Sequence, residues 1–192
     1  MDIDDPKTPP IADRRIVLLG LGAAAASVGT AADAASRAQI DARADAAMSR
    51  LYAASPKARE LVRRAQGVLV FPHNLKAGFI FGGEGGEGVL RIGGRSTEYF
   101  SFVAGSFGFQ AGAQEYSLAM FFMTRAALDY LRNSQGWALG GGPEIVVVDQ
   151  GLAANLDTTN LSQPVYAMFF GQKGLMGGLT LNGSKITHIH PD

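Results

Sequence analysis

The chain has 192 residues, 47% hydrophobic and 18% charged, with 17 basic against 17 acidic side chains. That length and composition support one domain with a sizeable core and exclude global disorder. There is no cysteine, which excludes disulfides, thiolate metal sites, cysteine nucleophiles and a lipoprotein anchor.

Residues 14–34 read RRIVLLGLGAAAASVGTAADA. Arg14 and Arg15 precede an apolar run from Ile16 to Val28, and Ala32-Asp33-Ala34 fits an A-x-A cleavage site. The run is short and rich in alanine and glycine for a bilayer span. The arginine pair resembles a twin-arginine export signal, although Asp13 sits where Ser or Thr is usual and Val17 where Phe is common. Residues 1–34 are therefore expected to be an export signal and residues 35–192 one domain, in a periplasmic or secreted protein peripherally associated with a membrane. An uncleaved anchor helix is the alternative. Cleavage after Ala34 would leave 14 of the 17 basic and 12 of the 17 acidic residues, a net charge of +2.

From Ser36 to Gln66 the spacing is helical. Ile40, Ala44, Ala47, Met48 and Leu51 form one stripe, with Arg43 and Arg50 a heptad apart beside it. Ser55-Pro56 restarts a helix, Ser55 as N-cap and Pro56 at the first helical position. Ala58, Leu61, Val62 and Ala65 form its apolar face, and Lys57, Arg59, Arg63 and Arg64 occupy the rest. Seven basic residues stand against three acidic ones over 36–66. A basic amphipathic helix reads as a membrane-surface element, and an ordinary helix packed on a sheet has the same stripe.

After Gly67 the pattern changes to short strands. GVLVFP (67–72) closes at Pro72, and AGFIFGG (77–83) and GVLRIGG (88–94) flank a glycine-rich stretch. STEYFSFVAG (96–105) follows, and in SFGFQAGAQ (106–114) Phe107, Phe109, Ala111 and Ala113 alternate with small or polar residues, as in a strand. YSLAMFFM (116–123) is another strand, and Thr124 caps a short helix through Arg132. EIVVVD (144–149), VYAMFFG (165–171), GLMGGLTLNG (174–183) and SKITHIH (184–190) complete the set, with Asn182-Gly183 as a tight-hairpin signal. The expected class is α+β: an N-terminal helical segment, then a strongly curved, barrel-like antiparallel sheet with one further short helix.

The stretch GGEGGEGVL (82–90) fits three patterns. Gly83, Gly85 and Gly88 have the dinucleotide spacing, but VLRIGG follows where a helix must receive the pyrophosphate. The calcium-binding nonapeptide needs tandem copies, and there is one. A hairpin connection with glycines at positive φ is the preferred reading.

AQGVLVFPHNLKAGFIFGGEGGEGVL (65–90), GSFGFQAGAQ (105–114), LGGGPEIVVVDQG (139–151) and GQKGLMGGLTLNGSKI (171–186) resemble, in order, the blocks of the SYLF family of lipid-binding domains. The resemblance spans roughly residues 45–190. It implies binding of anionic phospholipid through the basic residues Arg43, Arg50, Lys57, Arg59, Arg63 and Arg64, with Lys76 added. It implies no enzymatic activity and no cofactor. Phosphoinositides and actin, partners of some eukaryotic members, are not expected beside a bacterial-looking export signal, nor is nucleic acid. A cell-envelope protein partner or self-assembly is the alternative function.

His188 and His190 would share a strand face, but no third ligand supports a metal site. His73 has no evident partner, and Ser106 is not in a nucleophile elbow. Gln110 and Gln114 suit a polar cavity or ordinary buried amides. Trp137 and Phe121-Phe122-Met123 read as core.

Overall fold

Ser36 opens the first helix with a reciprocal cap. Its Oγ accepts from the Gln39 N–H (3.4 Å), and Gln39 Oε1 accepts from the Ser36 N–H (3.1 Å). The computed structural model describes residues 35–78, 81–107, 112–148, 161–174, 181 and 183–192. The expected export signal lies outside these residues. Helix α1 (Arg37–Ala54) runs to Ser55, and Pro56 begins α2 (Pro56–Arg64) as the sequence predicts. Ser55 occupies the N-cap position, but its side chain makes no capping bond.

The strands that follow are β1 (Gly67–Gly78), β2 (Phe81–Ile92), β3 (Arg95–Phe107) and β4 (Gly112–Phe122). Helix α3 (Arg125–Asn133) is capped by Thr124, whose Oγ1 accepts from the Ala127 N–H (3.2 Å). Strands β5 (Trp137–Ala138), β6 (Ile145–Val147), β7 (Val165–Gly174) and β8 (Ser184–Ile189) complete the described elements. The sheet order is β5-β8-β3-β2-β1-β4-β7-β6, and the sheet curls into a half-barrel. Strands β1 to β4 form a Greek key, with β4 returning beside β1.

Strand alternation splits the core. On one face α1 and α2 bury Ile40, Ala44, Leu51, Ala58 and Leu61 against Val68, Val70, Val89, Phe121 and Tyr166. On the other, α3 buries Ala127, Leu128 and Leu131 among Leu69, Phe71, Leu90, Phe102, Leu118, Phe122 and Trp137. Phe121 and Phe122 are both fully buried, one in each layer.

Three details differ from the sequence reading. First, β1 does not end at Pro72. The register of β1 shifts against both neighbours around it, so Pro72, which has no N–H, sits in a β-bulge and the strand continues to Gly78. Second, GGEGGEGVL is not a turn. Gly82 to Leu90 lie inside β2 and pair with both β1 and β3, and the β2–β3 turn is Gly93-Gly94, at φ +58° and +79°.

Two glycines of β2, Gly86 and Gly88, are required by close approach. A Cβ on Gly88 would lie 2.5 Å from Val70 O and 2.5 Å from Phe71 Cδ1, and one on Gly86 would collide with Asn74 Oδ1 and with His73 O (2.5 Å). Both glycines therefore lie against the β1 bulge.

Third, the segment read as one strand over 106–114 is the end of β3 and the start of β4, with 108–111 outside the described residues. Most of the segment read as a strand over 174–183, Asn182 included, lies outside the described residues; Gly183 turns the chain (φ +77°), and among the described strands β8 pairs with β3 and β7 with β4. The β6–β7 pair is parallel, an exception to the antiparallel pattern.

Candidate functional site

The basic helical segment divides into paired and unpaired cations. Lys57 Nζ lies 3.5 Å and Arg64 Nη2 3.8 Å from the Glu60 carboxylate, one turn away on either side. Arg59 stacks over the Tyr52 ring (5.9 Å to its centroid), joining α2 to α1. Arg37 lies over Tyr99 (5.8 Å) and donates from Nε to Pro191 O (2.8 Å). Arg43, Arg50 and Arg63 are exposed and make no ion pair or ring contact among the described residues. The sequence reading treated all six cations of the segment alike and missed that Glu60 and Tyr52 engage three of them.

A second set of contacts fixes α1 to the sheet. Arg91 on β2 donates to Asp45 Oδ1 (2.7 Å) and to Asp41 O (3.2 Å). The Asp41 carboxylate accepts from Ser96 Oγ (2.8 Å) and Tyr99 Oη (3.1 Å). Burial, and then the Asp41 carboxylate, push the Tyr99 phenol above its ordinary pKa. These bonds hold the apolar stripe of α1 against β1 and β2, so the stripe is not available to a bilayer.

Lys76 stands apart from the other cations. It is buried at 6% exposure on the opposite face of the sheet, so it does not belong to the exposed helical surface. In register it is the centre of a transverse row: Gln114 on β4, Lys76 on β1, Glu84 on β2, Ala104 on β3 and Ser184 on β8. Directly opposed residues share a face, and Ala104 and Tyr116 place this one beside the α3 core. Burial raises the Glu84 pKa, and the charge of Lys76 partly offsets that. Burial and the facing Glu84 carboxylate push the Tyr116 phenol up strongly. Among the described residues, Gln114 Oε1 and Ser184 Oγ are buried without a hydrogen-bond partner, while the Tyr116 hydroxyl faces the Glu84 carboxylate. The row thus sets acceptor oxygens around one ammonium inside the half-barrel. The sequence offers Gln114 either to a polar cavity or to an ordinary amide role and gives no signal for Glu84, Tyr116 or Ser184.

The remaining candidates have structural roles. Trp137 is 1% exposed, and its Nε1–H donates to Gly141 O (2.7 Å). His188 packs on Phe100 (ring centroids 4.2 Å apart) and places Nε2 3.1 Å from Arg132 O. His190 is exposed beyond the end of β8, and His73 is exposed on β1. No helix among the described residues is long and apolar enough to cross a membrane.

Residues 103–190 match the family model described as Ysc84, Las17-binding protein actin regulator. Over these residues the chain is similar to the Ysc84 (SYLF) domain. The match begins within β3 and takes in β4, α3 and β5 to β8, with the sequence blocks 105–114, 139–151 and 171–186. The Ysc84 family is a lipid-binding and actin-linked one, and it is not an enzyme family. Helices α1 and α2 and strands β1 and β2 precede the matched residues. No curated protein matches the chain.

Proposed function

We propose that this Ysc84-like chain binds anionic phospholipid surfaces through the exposed cations of α1 and α2, as a periplasmic or secreted peripheral protein. The observation that supports this reading is the solvent-facing set Arg43, Arg50 and Arg63, on helices whose apolar faces are buried against the sheet. Because those faces are covered, α1 and α2 do not insert as free amphipathic helices do. The contact is charge on charge, at roughly 1 kcal/mol per cation near an anionic surface and screened within a Debye length.

The test is liposome flotation of residues 35–192. Binding to vesicles rich in anionic lipid, none to neutral vesicles and release at high salt are expected. Replacing Arg43, Arg50 and Arg63 with glutamine should weaken binding by roughly 3 kcal/mol, on the order of a hundredfold. Unchanged affinity would remove these residues from the contact.

One observation favours a second reading, an envelope protein-interaction module. Leu75 (46% exposed) and Val103 (59%) flank Gly85 in register on the helix-bearing face of the sheet. A complex that ignores lipid charge and salt, and is lost in Val103→Ser, would support that reading over the first.

A further inference from the structure

Chain termini fray unless something ties them down. Here the backbone N–H of each of the first three described residues is held. The Ala35 N–H donates to Glu87 Oε2 (3.1 Å), the Ser36 N–H to Gln39 Oε1 (3.1 Å), and the Arg37 N–H to Asp192 O (3.0 Å). Ala35 is only 7% exposed. In the sequence Ala35 directly follows Ala32-Asp33-Ala34, which spells a cleavage pattern.

Glu87 is placed for this contact by strand alternation. Glu84 and Glu87 are three residues apart in β2, so they point to opposite faces: Glu84 into the half-barrel, Glu87 toward the start of α1. The carboxylate makes no salt bridge with another described side chain.

We propose that Glu87 is the receptor for the α-ammonium created when the peptide bond between Ala34 and Ala35 is cut. The step is a hydrolysis by an export peptidase. Water adds to the Ala34 carbonyl carbon, and the C–N bond breaks. Ala34 leaves as a carboxylate, and the Ala35 nitrogen keeps the electron pair and takes up protons to become an ammonium at neutral pH. A single neutral N–H facing the carboxylate becomes a charged group with three N–H donors, and charge-assisted bonds are roughly twice as strong as neutral ones. The charge also needs an anion for a second reason. It lies just ahead of the N-cap of α1, where the helix dipole disfavours a cation. Processing thereby locks α1, and the cations it carries, onto the sheet. The inference rests on the expected cleavage and is independent of lipid binding.

The full-length gene product is exported, and its N-terminus is read by sequencing and intact mass. A start at Ala35 is expected, and a start elsewhere overturns the proposal. Chains beginning at Ala35 and at Ala34 are then compared, each with and without Glu87→Gln, which keeps the side-chain volume and an acceptor oxygen. The chain beginning at Ala34 retains a neutral amide at Ala35 and moves the ammonium one residue away. Urea unfolding should show about a tenfold loss in the folding constant for E87Q in the chain starting at Ala35. The loss should be clearly smaller in the chain starting at Ala34. Equal losses in both would make Glu87 an ordinary amide acceptor and overturn the proposal.

Discussion

Alanine substitutions along β2 separate a strand pressed against a bulge from a glycine turn. At Gly88, a Cβ would sit 2.5 Å from Val70 O and from Phe71 Cδ1, and 2.9 Å from Phe71 Cε1. Ordinary carbon–oxygen contacts lie at about 3.3 Å or more, so one side must move by roughly 0.8 Å. Neither side moves cheaply. Val70 O belongs to a paired strand at the edge of the bulge, and Phe71 is fully buried against Phe102, ring centroids 5.5 Å apart. Overpacking of this kind costs about 1–3 kcal/mol, and two rigid obstacles put Gly88→Ala near the top of that range. For a chain of this size the loss lowers Tm by roughly 6–12 °C. Gly83 is the internal control. Its nearest obstacle is Ala104 O at 3.9 Å and its φ is not positive, so Gly83→Ala has room and stiffens the unfolded chain. It should be neutral or stabilising by about 0.4–1 kcal/mol. Urea unfolding followed by the fluorescence of Trp137, the chain's single tryptophan, reads both. A Gly88→Ala cost below about 1 kcal/mol, or a Gly83→Ala cost equal to it, would refute the close-approach account.

Three further outcomes are expected. Glu60→Gln releases Lys57 and Arg64 and adds one net positive charge to α2, so binding to anionic vesicles at low salt should tighten about fivefold, an effect that vanishes at high salt; looser binding would contradict the charge model. Asp41→Ala removes the acceptor of Ser96 and Tyr99 and should cost about 2 kcal/mol, whereas Asp45→Ala, whose carboxylate is 70% exposed, should cost roughly 0.5 kcal/mol; urea melts giving the reverse order would move the anchor of α1 to Asp45. Burial raises the Glu84 pKa above its ordinary value of 4.5, so the folded state holds that proton longer than the unfolded chain. Stability should therefore fall as pH rises from the ordinary carboxyl range through the raised pKa. Glu84→Gln should flatten that part of the profile, and an unchanged slope between the two proteins would assign it to another group.

The helices were legible because their signals are local. Ile40, Ala44, Ala47, Met48 and Leu51 repeat at helical spacing and are the buried residues of α1, and Thr124 caps α3 as its chemistry suggests. The strands were legible as apolar runs, and the α+β class with a curved sheet follows from them. What the sequence did not reveal is set by pairing. Pro72 reads as a stop and is a bulge, because whether a strand survives a proline depends on the neighbours of that strand. The glycines of 82–88 read as a turn because nothing local reports that Phe71 and Asn74 lie against Gly88 and Gly86. The polar row was hidden for the same reason. Lys76 and Glu84 become neighbours only once the β1–β2 register is known, with Gly78 opposite Gly82. Placing that hairpin two residues earlier than GGEGGEG would have exposed the pair.

The division of the molecule bears on how its function is distributed. The family match covers β3 to β8 and α3, whereas the exposed cations lie on α1 and α2, ahead of it. The helices bury their apolar faces against residues of the matched part such as Phe121 and Tyr166, and polar contacts at its margins set their direction. Asp41 on α1 takes bonds from Ser96 and Tyr99 on β3, and Arg37 reaches Pro191 and Asp192 beyond β8. Those contacts fix the orientation of the helices without constraining their outer faces, where Arg43, Arg50 and Arg63 project. The number and sign of those outer charges can therefore change without disturbing the sheet, since exposed positions away from caps and networks alter stability by only about 0.5 kcal/mol. The charge on the outer helical face can thus be tuned to a membrane independently of the sheet, while the buried row of Lys76, Glu84 and Gln114 is tied to strand register and changes only with the fold.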